Sequence, residues 1–325
     1  MILSTRFGMK ISLITPAGKR SKSGNRTTAD RWERILTDLG NRVMVDESYD
    51  GGDADMMVAL HAWRSADSIS LFRKRFSSRP LIVALTGTDI YRFQDSHPKT
   101  TRRSMEMADW LVCLHDRVGH DIPAKFGAKL AVVPQSAAPL IRPRKPSMRH
   151  FDVCVIGHLR EEKDPLRAAY AAREMPDDSR LRVIHLGKAH DGSWEKKAEA
   201  EKARNKRYLW RGEVPGWAVR REFVKTQLMV ISSIMEGGAN VVSEALVAGV
   251  PVIASDISGN IGLLGEDYPG YYRTGDTADL RALLERAERD PAFLADLNRR
   301  CEALAPRFTP AKEAAAWKSV LARFV

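Results

Sequence analysis

The sequence predicts an α/β chain built of two successive doubly wound domains, each a parallel sheet with helices on both faces. Three observations carry that prediction. Short apolar runs recur as unbroken stretches, the pattern of strands buried on both faces rather than the alternation of half-exposed ones. Stretches of helical period lie between them. A basic, proline-rich break at residues 139–148 is followed by a restart of the same rhythm. The length of 325 residues agrees, since a domain takes about 150.

In the first half, residues 10–15 (KISLIT) read as a strand that ends at Pro16 and a loop rich in Gly, Lys and Ser. Residues 25–39 follow as a helix, with Ala29, Trp32, Ile35, Leu36 and Leu39 on one face and Gly40 as its stop. Residues 43–45, 56–60, 81–85, 110–114 and 131–133 read as strands, with helices near 65–76 and 101–108. Residues 139–148 (PLIRPRKPSM) read as an extended, solvated linker. Beyond it, strands are expected at 153–156, 181–186, 208–210, 228–231 and 250–255. Helices are expected at 163–174, 193–205, 217–225, 240–248, 277–289 and 291–304. The domains are therefore set at 1–145 and 146–325, with a last helix at 310–324 free to pack back on the first domain. Ligands are expected where the carboxyl ends of both sheets face each other.

Composition narrows the function. At 44% hydrophobic and 29% charged residues the chain is globular, not disordered. No apolar run nears the roughly 18 residues of a membrane span, so no stable membrane association is expected. Cys113, Cys154 and Cys301 are too few and scattered for a disulfide framework or a metal knuckle, and read as reduced residues of a cytoplasmic chain. The histidines show no metal-ligand spacing, and Asp53 and Asp55 sit in a Gly-Gly turn and read as turn chemistry, so no metal and no cofactor are expected. Residues 1–8 precede a second methionine, Met9, and lack the core and cleavage signature of a signal peptide; a start upstream of the true one is expected. The net charge is uneven: residues 1–150 hold 25 basic against 15 acidic side chains, or +10, and residues 151–325 hold 27 against 26, or +1. Such a first half is either a solubilising basic surface or a receiver of a small anion. A nucleic-acid partner is not expected, because the chain has no recognition helix, zinc finger or aromatic-basic interleaving. Nothing points to a particular oligomeric state.

The strongest chemical signal is at residues 228–255. An apolar strand runs into a loop carrying Glu236, then Gly237 and Gly238, and a helix begins near Ala239 and Asn240 with Glu244 in its second turn. Two glycines let a ligand approach the backbone. A helix N-terminus offers N–H groups and partial positive charge to phosphate. Two carboxylates on either side of it can address two diols, which suits a nucleotide sugar.

Glu236 and Glu244, followed by Ala245, Leu246, Ala248, Gly249, Pro251 and Val252, resemble the donor motif of retaining family 4 glycosyltransferases of the GT-B fold. That resemblance implies two Rossmann-like domains facing a central cleft. It implies that Glu236 contacts the donor sugar, that Glu244 binds the ribose hydroxyls, and that Gly237, Gly238, Ala239, Asn240 and Val241 lie near the sugar and diphosphate. The segment Gly157-His158-Leu159-Arg160-Glu161-Glu162-Lys163 resembles a second motif of that family. Lys163 matches its diphosphate-binding lysine. His158 stands where an arginine is expected, and Arg160 is the candidate to supply that charge. Val214 falls where the family holds the base.

Further blocks resemble the selenosugar synthases of selenoneine biosynthesis: residues 14–17 with 23–32, 59–66, 84–91, 235–244 and 259–271. The resemblance implies transfer of a sugar, typically N-acetylglucosamine, from a UDP-sugar to selenophosphate, with release of UDP and phosphate. The implied acceptor is a small anion, and the first half carries the positive charge. Gly24, Asn25 and Arg26 open a helix whose N–H groups can hold phosphate oxygens. Thr86, Gly87 and Thr88 end one strand; His61 ends another and is followed by Arg64. These eight residues are the acceptor candidates, and His61, Glu236 and Lys163 are the catalytic candidates. An anionic selenium needs little deprotonation, which makes positioning the main task. The alternatives are an ordinary retaining glycosyltransferase with a sugar or lipid acceptor and, more remotely, a non-enzymatic nucleic-acid binder.

Overall fold

The computed structural model describes residues 8–21 and 23–324; the lead at residues 1–7 lies outside them. Its contacts divide the chain into two compact units, Met1–Gln135 with Pro310–Val325, and Ser136–Thr309. The sequence reading placed the division after residue 145.

The first unit is built on six parallel strands, β1 (Lys10–Ile14), β2 (Arg42–Asp46), β3 (Met56–Leu60), β4 (Leu81–Ala84), β5 (Trp110–Cys113) and β6 (Leu130–Val132), in the order β2-β1-β3-β4-β5-β6. β3 and β4 are buried at every position, which is why their sequences are apolar without alternation. The order reverses between β1 and β3, so the chain leaves these strands toward opposite faces and opens a crevice at their carboxyl ends. Thr15 follows β1 and His61 follows β3 at that point. The Gly24–Asp38 helix presents Ala29, Trp32 and Leu36 to the sheet, as its spacing predicts. The Pro310–Leu321 helix packs on it: Trp317 meets Trp32 edge to face at 4.8 Å between ring centroids. Glu313, wholly buried, accepts from Trp32 Nε1 at 2.8 Å and Arg31 Nε at 3.0 Å.

The second unit holds β7 (Phe151–Ile156), β8 (Leu181–Leu186), β9 (Tyr208–Trp210), β10 (Leu228–Ile231), β11 (Val252–Ser255) and β12 (Tyr271–Tyr272), all parallel, in the order β12-β11-β10-β7-β8-β9. Here the order reverses between β7 and β10. Gly157 follows the first of these and the Glu236 loop follows the second, so the two motifs of the sequence meet at one crevice.

Three local expectations are corrected. The helix expected over 163–174 is broken: Glu161–Lys163 is a single 3-10 turn, and the helix proper is Arg167–Arg173. Pro165 disfavours helix at the residue before it, and Asp164 sits at φ 40°, its carboxylate accepting from Arg167 Nε at 2.7 Å. The linker is not simply solvated. Ile141 is fully open, but Arg144 donates to the carbonyls of Gly249, Thr226 and Gln227, and Lys145 N–H to Val224 O at 2.7 Å. Finally, Asp89–Phe93 is a π-helical turn where no helix was expected. Asp53 accepts from the Arg79 guanidinium and Asp55 from the Lys10 N–H.

Replacing Glu313 by Leu strands the Trp32 N–H and the Arg31 guanidinium, and is expected to destabilise the first unit by about 3–5 kcal/mol. Urea unfolding followed by tryptophan fluorescence checks this; a change under about 1 kcal/mol would show that the pair is not holding the last helix.

Candidate active site

In the second unit the site is assembled from the ends of β7, β10 and β11. Ser233, just past β10, donates from Oγ to Glu236 Oε1 at 2.6 Å, and the Lys163 ammonium donates to the same oxygen. Ser233 is fixed in turn: its carbonyl accepts from Ser255 Oγ at 2.6 Å. Asn260 Nδ2 lies 3.0 Å from both the carbonyl and the hydroxyl of Ser255. On the other side, Ser232 Oγ lies 3.1 Å from Lys163 O and 2.8 Å from Asp164 O, and the Ile234 N–H donates to Glu162 O at 2.9 Å. The Glu236 turn is thus tied both to the Lys163 turn and to the Ser258–Leu264 helix. That helix comes so close that a Cβ on Gly259 would stand 2.1 Å from Glu236 O.

Glu236 is buried and Lys163 half-buried, so each carries its charge where few waters can reach it. Each would be an uncompensated charge without the other. An ammonium and a carboxylate held against one another in this way are ready to exchange that contact for a bound anion and a bound hydroxyl, respectively.

The helix Asn240–Val247 begins as the sequence indicates, with Ala239 as its cap residue and no side chain closing its first N–H groups. Asn240 Oδ1 and Ser243 Oγ are buried there with no hydrogen-bond partner among the described residues. Gly237, Gly238 and Val241 lie with them, and Glu244 follows one turn on. His158 Nδ1 accepts from the Lys188 N–H at 3.2 Å, which turns Nε2 away from it. Arg160 reaches only to 3.9 Å from Glu162, too far for a hydrogen bond. Val214 lies between β9 and the Gly216–Lys225 helix.

The floor of this crevice is set by a close approach of β7 and β8. A Cβ on Gly187 would fall 1.8 Å from Gly157 O, so only glycine permits it. His185, buried, donates from Nε2 to Gly157 O at 3.1 Å, and its Nδ1 faces the Tyr208 hydroxyl at 2.9 Å. Burial holds its pKa down at about 4.

In the first unit the acceptor candidates divide. His61, Thr88 and Arg64 come together: His61 Nε2 stands 2.9 Å from Thr88 Oγ1, and Nδ1 accepts from the Arg64 N–H at 3.1 Å. His61 has φ 75°, a strained conformation for a residue with a side chain, and burial, opposed by the Asp89 carboxylate, lowers its pKa. Thr86 Oγ1 is buried without a partner, beside Gly87. Gly24, Asn25 and Arg26 open their helix under the Ser23 cap, whose Oγ accepts from the Arg26 N–H at 3.4 Å. The buried Arg26 side chain pairs with Asp30 at 2.7 Å and leaves Nε unpartnered.

Sequence reasoning missed Asp89, Ser233, Ser255 and Gly259 as parts of these sites. Gly259 and Asn260 stood in a block of resemblance, but no role could be read from it. Among the described residues no cluster of three or more His, Cys, Asp or Glu could hold a metal, and no helix is long and apolar enough to cross a membrane. The three cysteines are buried and form no disulfide.

Gly259→Ala is expected to push the Glu236 turn aside and to lower stability by about 1–3 kcal/mol. An unchanged unfolding midpoint would mean that the turn yields at no cost. His185 adds a pH dependence whose sign is fixed. Its folded pKa lies below its unfolded value near 6.5, so its stabilisation is complete above pH 6.5 and drains away as pH falls toward 4, by roughly 3 kcal/mol. Urea midpoints at pH 7 and 4.5 should lie closer together in His185→Gln than in the wild type.

Comparison with known proteins gives the family and the fold. The family model of the glycosyl transferases group 1 matches residues 140–305, just over half of the chain. No curated protein matches the chain. Among solved structures, Anabaena HepE in complex with UDP aligns at TM-score 0.78 and 15% identity, over 97% of this chain and 100% of its own. Sucrose-phosphate synthase from Thermosynechococcus elongatus aligns at TM-score 0.80 and 14% identity, over 97% and 98%. TarM from S. aureus aligns at TM-score 0.66 and 14% identity over 81% of this chain, which spans 54% of TarM. At such identities the likeness is one of fold, that of the two-domain GT-B glycosyltransferases. The family rests on the match over the second unit: the chain belongs to the glycosyl transferases of group 1.

Proposed function

We propose that the chain is a selenosugar synthase, which transfers a sugar, N-acetylglucosamine in this reading, from a UDP-sugar to selenophosphate. The observation that carries the donor half is the paired Lys163 and Glu236 at the switch point of the second sheet, beside the open N-terminus of the Asn240–Val247 helix. Diphosphate takes Lys163 and the helix N–H groups; sugar hydroxyls take Glu236; the ribose takes Glu244. Uridine as the base is supported by HepE, which has been solved with UDP and with UDP-glucose.

The acceptor half is read onto the first unit. A selenium lone pair attacks the anomeric carbon while the bond from that carbon to the diphosphate oxygen breaks, its electron pair leaving with UDP. Water then cleaves the selenium–phosphorus bond and gives phosphate and the 1-seleno-sugar. The attack needs no strong base, and His61 offers none: Nδ1 already accepts an N–H and Nε2 faces a hydroxyl. His61 therefore acts by holding Thr88. Thr86 Oγ1 and the Gly24–Asp38 helix N-terminus are the donors left for the anion's oxygens, the Gly87 N–H being taken by Asp89. Catalysis by this arrangement is positioning of the nucleophile and stabilisation of the departing diphosphate. No metal or cofactor is part of this proposal.

A second reading keeps the donor half and gives the enzyme a sugar acceptor. Trp63 and Phe93, half-buried and stacked at 3.9 Å beside His61, favour it, because such rings hold the apolar face of a sugar.

The deciding experiment measures UDP release from UDP-N-acetylglucosamine with and without selenophosphate, with mass spectrometry of the products. Release that depends on selenophosphate, with a selenium-containing hexosamine, is the expected result. Release that depends instead on a sugar acceptor, or none with selenophosphate across several UDP-sugars, overturns it. Glu244→Ala should weaken binding of the UDP-sugar several-fold by calorimetry; unchanged affinity would remove Glu244 from the ribose site.

A further inference from the structure

The turn after β4 is gripped from both neighbouring strands by the same device. His61 follows β3 and His115 lies just past β5, and both are buried to 1% exposure. Each Nδ1 accepts a backbone N–H, from Arg64 at 3.1 Å and from Arg117 at 3.3 Å. A ring nitrogen that accepts carries no proton, so in a neutral imidazole the proton is on Nε2. Burial keeps both rings neutral, and pushes the pKa of His115 down to about 4. Each Nε2–H then meets a hydroxyl of the same turn: Thr88 Oγ1 at 2.9 Å on one side, Tyr91 OH at 3.1 Å on the other. Tyr91 OH donates onward to Asp121 Oδ2 at 2.8 Å.

The interior of the turn is filled by Asp89. Its carboxylate, wholly buried, accepts from the N–H groups of Ala62, Thr86, Gly87 and Ile90 at 2.7–3.2 Å. These ties explain how Asp89–Phe93 sustains a π-helical turn, a conformation with poor intrinsic stability. They also explain how His61 is kept at φ 75°. Strain of this kind persists only where the surroundings over-determine it. Amid so many satisfied groups, Thr86 Oγ1 is buried and unpartnered.

We propose that Tyr91, held by His115 and Asp121, is a positioning residue that locks the turn after β4, so that the Thr86 hydroxyl meets the anionic acceptor in a fixed place. The inference rests on the reading that the acceptor binds the first unit. Tyr91 does not itself touch the acceptor; its hydroxyl bridges a histidine and a carboxylate, and its backbone belongs to the turn.

The test is Tyr91→Phe in the full chain, which keeps the ring and removes the bridge. The KM for selenophosphate should rise about tenfold, the size of one lost hydrogen bond, with kcat and the KM for the UDP-sugar within about twofold of wild type. Amide hydrogen exchange should quicken at residues 86–90. Asp121→Asn, which still accepts the Tyr91 proton, should behave as wild type, and Asp121→Leu should reproduce Tyr91→Phe. Both KM values rising together with a lowered unfolding midpoint would overturn the proposal in favour of a merely structural role. Unchanged exchange at residues 86–90 would overturn it outright. If the wild-type chain does not use selenophosphate at all, the proposed function falls, and the exchange measurement alone then decides whether the lock exists.

Discussion

The carboxylate of Glu236 is the point on which the second unit is organised. It lies buried, and a buried charge has to be compensated on every side it presents. Lys163 supplies the opposite charge and Ser233 a hydroxyl proton. The consequences spread outward from these two bonds. Lys163 can reach Glu236 only if the chain turns sharply after β7, which the 3-10 turn and the left-handed Asp164 provide. Ser233 can do so only if the loop after β10 is pinned, which Ser255 and Asn260 provide from β11 and the helix beyond it. The crevice at the switch point of this sheet is thus also the place where three strand ends must agree in position.

The first unit meets the same demand with different material. Its central buried charge is Asp89, and backbone N–H groups compensate it instead of a lysine. A carboxylate satisfied by the backbone is not available to a ligand; its effect is to shape the loop that presents other groups. The contrast separates the two acids by role. Glu236 is paired with a lysine side chain, whose rotamers can change while the backbone stays folded, whereas Asp89 is paired with amides that cannot leave without unfolding the turn.

How much of this was legible in the sequence follows from how each feature is encoded. The strands and most helices were legible because burial on two faces writes itself as unbroken apolar runs, and packing on one face as a 3.6 period. The loop-helix junction that carries Glu236, Gly237, Gly238 and Glu244 was legible because an apolar strand running into a glycine-rich loop and a helical period writes itself in the sequence. The break at Asp164 was visible in Pro165 but was outweighed by the helical period around it. The π-helical turn was not legible at all: its stability comes from His61, His115 and Asp89, which lie apart in the chain and meet only once the sheet has formed. The role of Glu313 was not legible, because nothing local reports that Trp32 waits for it nearly three hundred residues earlier. The tethering of the linker by Arg144 was hidden for the same reason, since its partners are backbone carbonyls, which carry no signature in a sequence.

Charge shows the same limit from the other side. The excess of basic residues in the first 150 suggested an anion receiver, yet the side chain that most invited that role, Arg26, is buried and paired with Asp30. Beside the exposed Arg64, the groups that remain for an anion there are neutral: the Thr86 hydroxyl and the N-terminus of the Gly24–Asp38 helix. Neutral donors held rigidly bind an oxyanion without paying for the reorganisation a flexible cation requires, and they distinguish anions by shape as well as by charge. On the proposed function, the net charge draws the anion toward the unit and the over-determined turn orients it. Attraction and orientation then fall to separate residues, and composition speaks only to the first.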